Sequence, residues 1–260
     1  MIGYFARQPL LGTDIAYLLQ VQSSIDVKLS YADKVNAAKE EWKTRNAAVF
    51  GNIRTNLHAT VHRDEMCAYC ESSFADEVEH IKPKDLYPGD SFKYDNFLMS
   101  CGPCNRRKSN KSVVSTTDGA KVVSRKQGAA IEPPPVGDPR FFHPFGFNPM
   151  EFIVLDLRVT FHFSALPKPG HPDHDAALLT IEILGLNSRE ALVERRKKAY
   201  RKYLALARDY LRSSEQERSR QVASFTAGWH PTVWFEMKRQ QKLIPELQEM
   251  FSACPGLNKL

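Results

Sequence analysis

Four of the five cysteines fall in two Cys-x-x-Cys pairs, Cys67/Cys70 and Cys101/Cys104, with thirty residues between them. In a reducing compartment that spacing selects metal over disulfide, and four thiolates form the closed tetrahedral shell that Zn²⁺ takes in structural sites. A closed shell has no position for water or substrate, so hydrolytic chemistry would have to come from other residues. Candidates stand inside the insert, in Val78-Glu79-His80-Ile81-Lys82-Pro83-Lys84 and Tyr94-Asp95-Asn96-Phe97-Leu98, and just after the second pair, in Asn105-Arg106-Arg107-Lys108. A neutral histidine can take a proton from water near neutral pH, and carboxylate and amide oxygens suit a hard divalent cation.

These elements, in this order, resemble the zinc-containing branch of the HNH, or ββα-metal, endonucleases across residues 65–115. The resemblance implies a hairpin followed by a helix, with Glu79 and His80 ending the first strand, residues 96–100 forming the second and Pro103 or Cys104 opening the helix. It further implies that His80 is a general base and that Glu79 and Asn105 hold a catalytic Mg²⁺ or Mn²⁺. Asn96 would brace the loop that carries the histidine, while Zn²⁺ on the four cysteines would be structural. Lys108, with Arg106, Arg107 and Lys111, would contact phosphates of the nucleic acid. Two positions depart from the common pattern: glutamate stands at 79 where aspartate is frequent, and asparagine at 105 where many members carry histidine.

The rest of the chain has to position this segment. A hydrophobic fraction of 42% and a charged fraction of 25% are those of an ordinary globular protein, which argues against disorder or a fibre. The net charge of +6 favours a polyanionic partner without naming one. Residues 1–61 read as a helical N-terminal arm of two helices, with apolar stripes at Ile15, Leu18, Leu19 and Val21 and at Val35, Ala38 and Trp42, and with Ser30 capping the second. Residues 62–115 are the HNH core. Residues 116–145, with Pro133-Pro134-Pro135, read as a linker or extended crossover. Residues 146–260 read as a β-hairpin, from alternation over 151–163, plus a helical region in which Asn187 and Glu190 form a capping box for a long helix. The fold class expected is α+β, mainly helical, with the zinc-stapled ββα-metal core embedded in it and a small additional hairpin.

Several other features have bland readings. The basic residues of 189–212, with interleaved tyrosines, suit either a nucleic-acid backbone or a solvated face. His171 and His174 read as a capped loop; His143, His162 and His230 read as structural, and Cys254 as a free thiol. No apolar run is long enough to span a membrane, and the first twenty residues lack a signal-peptide pattern, so a cytoplasmic location is expected. A wider resemblance, carried by the helical arm, the core and Thr180-Ile181-Glu182-Ile183-Leu184-Gly185-Leu186-Asn187, is to nuclease subunits of Septu-type and retron-associated anti-phage systems. It implies an ABC-type ATPase as partner. The alternatives are a stand-alone restriction or homing-type endonuclease and a non-catalytic zinc adaptor. No base-reading module decides between DNA and RNA.

Overall fold

The computed structural model describes residues 7–60, 65–72, 74–146, 148–226 and 228–260. Three helices come first: α1 (Gly12–Asp26), α2 (Tyr31–Lys43) and α3 (Ala47–Ala59). The sequence suggested two, and the extra break is made by Asn46, whose side-chain oxygen accepts from the amides of Ala48 and Val49. Ser30 caps α2 by accepting from Asp33 N at 3.0 Å. The boundary expected at 61–62 lies outside the described residues.

Strands β1 (Glu77–His80) and β2 (Phe97–Ser100) pair antiparallel and lead into helix α4 (Gly102–Lys108), the ββα arrangement that the resemblance implied. The stretch read as a linker is instead partly sheet. Strands β3 (Ser112–Thr116), β4 (Gly119–Val123) and β5 (Asp138–Pro139) pair in the order β4-β3-β5. Gly119, at φ 106°, lets the chain turn tightly between β3 and β4, a conformation that costs glycine little.

A second hairpin, β6 (Ile153–Leu155) with β7 (Phe163–Ala165), is shorter than the alternating run. The Asp156 carboxylate accepts from the amides of Arg158, Val159 and Thr160, which curls the chain out of the strand and leaves Val159 exposed rather than inward. Helices α5 (Pro172–Leu184), α6 (Glu190–Arg212), α7 (Glu215–Thr226), α8 (Pro231–Arg239) and α9 (Pro245–Ala253) complete the chain. The run from Pro231 is two helices because the chain bends at 240–244 and Pro245 starts a new one. The capping box is absent: Asn187 exchanges two hydrogen bonds with the backbone of Phe163, and Arg189 stands at the N-cap of α6.

One continuous apolar core joins these pieces, running from Ile25 and Ile53 through Phe97 and Phe142 to Leu184, Trp234 and Leu247. The N-terminal helices are therefore packed onto the ββα segment and not extended away from it. Within α6, Arg196 is buried and donates to the carbonyls of Phe161 and Leu186, so it is not part of an exposed basic stripe. Among the described residues no helix is long and apolar enough to cross a membrane.

Candidate active site

Antiparallel pairing sets His80 opposite Phe97 and Glu79 opposite Leu98. Neighbouring side chains on a strand point to opposite faces, so Glu77 and Glu79 share one face while Val78 and His80 share the other. The strand ends at His80, and beyond it Glu79 and His80 line one cleft of about 220 Å³ together with Trp42, Lys84 and Asn105. Asn105 reaches this cleft from the first turn of α4, which starts immediately after the Cys101 N-cap.

The imidazole of His80 is held on several sides. Its Nε2 lies 2.9 Å from the carbonyl oxygen of Ser91. A carbonyl only accepts, so Nε2 carries the proton and Nδ1 is left as the basic nitrogen. The rings of Trp42 and Phe97 stand 4.2 and 5.3 Å from it, centroid to centroid. Burial, reinforced by the nearby Lys84, keeps this histidine well below the usual imidazole range, hence neutral.

Asn96 ties both ends of the intervening loop together. Its side-chain nitrogen donates to the carbonyls of Lys82 and Asp90, both at 2.9 Å, and its oxygen accepts from Lys82 N at 2.7 Å. Gln22 of α1 adds a second tie, accepting from Phe92 N at 2.8 Å and donating to the Pro88 carbonyl at 3.1 Å. The Ser91 carbonyl that orients His80 lies between those two anchors.

Lys108 differs from its expected place on the surface. It is fully buried, and its Nζ donates to Glu79 Oε1 and to the His80 carbonyl, each at 2.6 Å. It braces the strand end from inside and does not face solvent phosphates. Burial raises the Glu79 carboxyl above its ordinary range even though Lys108 pulls the other way. Asn105 lines the cleft and donates its amide to Glu77, a bond that does not use its side-chain oxygen. One carboxylate and one amide oxygen form a hard donor pair that fits Mg²⁺ or Mn²⁺ better than a softer metal. Arg106 and Arg107 are exposed, and Lys111 is half-buried with its Nζ on the Arg107 carbonyl at 2.6 Å.

The four cysteine sulfurs of Cys67, Cys70, Cys101 and Cys104 lie within 4.8 Å of one another, all buried. Hydrogen bonds from the neighbouring thiols pull Cys70 and Cys101 below the usual thiol range, while burial pushes Cys67 above it. A buried set of four sulfurs can ionise together only around a cation, and the donor set fits zinc. The C-terminal helices grip this cluster. Arg189 donates to Cys104 Sγ at 3.2 Å, and Glu71, next to Cys70, accepts from Thr232 N and Oγ1 at 3.1 and 2.6 Å.

Trp42, Lys84, Gln22 and Glu77 are cleft or positioning residues that motif reading did not single out. For Trp42 and Gln22 the sequence held no signal, because tertiary packing alone brings α1 and α2 to the hairpin. Glu77 was open to detection, since a residue two before Glu79 on a strand shares its face.

The HNH endonuclease family matches residues 67–111. Septu protein PtuB of Bacillus thuringiensis is 32% identical over 74 residues, 26% of this chain and 29% of that protein. A retron Vc95 protein of Vibrio cholerae serotype O1 biovar El Tor, which bears an HNH endonuclease name, is 41% identical over 61 residues, 21% of this chain. The chain thus spans 29% of the length of either relative. No solved structure matches. Family match, ββα topology and buried thiol cluster coincide on one segment, and the chain therefore carries an HNH endonuclease domain.

Proposed function

We propose that the chain is a metal-dependent nuclease that hydrolyses phosphodiester bonds of DNA or RNA at the His80 cleft. The observation that carries this reading is the fixed tautomer of His80: the Ser91 carbonyl takes Nε2–H, and the neutral ring offers Nδ1 as a base. A water molecule in the cleft would lose its proton to His80 as it attacks phosphorus. Glu79 and Asn105 would hold Mg²⁺ or Mn²⁺, which supplies charge to stabilise the departing oxygen. Lys108 positions Glu79 and the strand end, Asn96 positions the loop, and Zn²⁺ on the four cysteines holds the two flanks of the insert together. Exposed Arg106 and Arg107 are placed to meet phosphates at the rim.

The wider setting is an extension of the same proposal. Similarity to a Septu protein and a retron protein supports an effector nuclease in a bacterial defence complex, working in the cytoplasm with an ABC-type ATPase subunit. Incubating the protein with plasmid DNA and with tRNA, each with and without added Mg²⁺, tests the nuclease reading. Mg²⁺-dependent cleavage of either supports it, and none on any substrate leaves the zinc adaptor. Co-purification with a neighbouring ATPase tests the setting, which fails if the chain purifies alone as a fully active nuclease.

A further inference from the structure

A second cleft, of about 700 Å³, opens beside the His80 cleft, between the α2–α3 corner and β1. Trp42, Val78 and Asn105 line both, so the two are neighbours across that shared wall. We propose that this larger cleft is the groove that holds the phosphate backbone of the substrate strand as it enters the His80 site. The proposal rests on the nuclease reading above and adds the route and the residues that hold the strand.

Its charge is polarised. Arg45 and Arg54 stand on the helical wall, and Asp76 and Glu77 on the strand wall beside Asn105. Arg45 is fixed in place by donating to the Trp42 carbonyl at 2.5 Å, with its guanidinium 4.5 Å above the Trp42 ring. Neither arginine has a carboxylate partner among the described residues, whereas Lys43 nearby is tied to Glu40 at 3.0 Å. Two exposed guanidinium groups with no ion pair among the described residues are suited to phosphate oxygens, which they can bind in a fork. Lys84 continues the series into the His80 cleft, its Nζ lying 5.5 Å from the Trp42 ring. Arg45 lies in the α2–α3 corner and Arg54 about two turns into α3, so the two can meet separate phosphates of one strand. The carboxylates opposite repel the backbone toward the arginines.

Gly51 supplies an independent observation. It lies in the interior of α3 and lines the cleft, where a Cβ would meet no atom within 4 Å. Glycine is the poorest helix former after proline, and packing gives no reason for it here. Close approach of a bound strand does.

The test is equilibrium binding of fluorescein-labelled single-stranded DNA, duplex DNA and single-stranded RNA by the full chain with its zinc, without added Mg²⁺, over a range of salt. Wild type is compared with Arg54→Gln, Arg45→Gln/Arg54→Gln and Gly51→Gln, and with Lys242→Gln in the turn after α8 as control. Zinc content and melting temperature are checked in parallel, and Arg54→Gln alone serves if loss of the Trp42 contact disturbs the double variant. We expect the double variant to bind the preferred nucleic acid at least about tenfold more weakly, with the log–log salt slope reduced by about 2, one for each lost phosphate contact. Gly51→Gln should weaken binding with its slope unchanged and its melting temperature equal or higher, and Lys242→Gln should behave as wild type. Equal affinity and slope in wild type and the arginine variants, with His80-dependent cleavage intact, would place the strand elsewhere and leave the nuclease reading standing. An equal loss in Lys242→Gln would also overturn the groove. A wild-type chain that neither binds nor cuts any of the three would overturn both.

Discussion

The Lys108 ammonium meets the Glu79 carboxylate at 2.6 Å inside the protein, and the same nitrogen reaches the His80 carbonyl at 2.6 Å. The pair fixes the end of β1 at the point where two functional side chains leave it.

Replacing Lys108 with methionine removes that cation while leaving the carboxylate buried. Breaking a buried pair from one side costs about 3–5 kcal/mol. We expect a loss of that order in urea denaturation of Lys108→Met, and a smaller loss in the double variant with Glu79→Gln, where no lone charge remains. If Lys108→Met is as stable as wild type, the ion pair does not brace the strand.

Asn96 makes three hydrogen bonds that close the loop between β1 and β2. Asn96→Ala leaves buried backbone groups unpaired, at about 1–3 kcal/mol for such a group. The variant should keep its zinc, melt lower and lose most of its nuclease activity, because the Ser91 carbonyl is no longer held against His80. Unchanged activity at a lowered melting temperature would show that the loop does not position the base.

How much of this could be read beforehand differs from one part to another. The cysteine pairs and Glu79-His80 were legible because metal ligation and proton transfer admit few residue types at fixed spacings. The ββα order came from the family resemblance that those residues carry. The β3–β4 hairpin was missed, although Asp118-Gly119 between two valine pairs is a turn signal, because the Ser, Thr and Pro around it suggested a linker. The burial of Lys108 was not legible, since a lysine four residues past a cysteine looks the same whether it faces water or Glu79. Nor could the sequence show that the N-terminal helices supply Trp42 as a wall of the cleft.

Zinc removal should act on the whole chain and not on the core alone, because Arg189 and Thr232 connect the thiol cluster to α6 and α8. Cys101→Ser should lose bound zinc, measured by elemental analysis, and lose helical signal from the C-terminal region along with it. Full zinc content and normal melting in this variant would contradict a structural Cys₄ site.

Acid should weaken the fold through its buried neutral histidines. Burial holds His230 down at about 4, and burial, with Arg7 and Lys108 nearby, holds His143 down at about 3. Unfolded histidine titrates near ~6.5, so below that pH the unfolded chain binds protons that the fold refuses. The stability they contribute is complete above about 6.5 and is lost as pH falls toward the folded values, at up to roughly 1.4 kcal/mol per unit for each. Cysteine protonation adds to the same trend. The informative comparison is therefore wild type against His230→Asn, which tolerates the left-handed φ of 57° at that position. Urea midpoints measured from pH 7.5 to pH 5 should fall less steeply in the variant, and parallel curves would show that His230 does not refuse its proton.

His80→Ala, purified with its zinc and shown by melting and circular dichroism to be folded, is to be assayed beside wild type on plasmid DNA and tRNA with Mg²⁺. Wild type is expected to show Mg²⁺-dependent cleavage and the variant a loss of at least about 10²-fold, the scale on which a positioned base acts. Equal cleavage by the two proteins would contradict a catalytic role for His80.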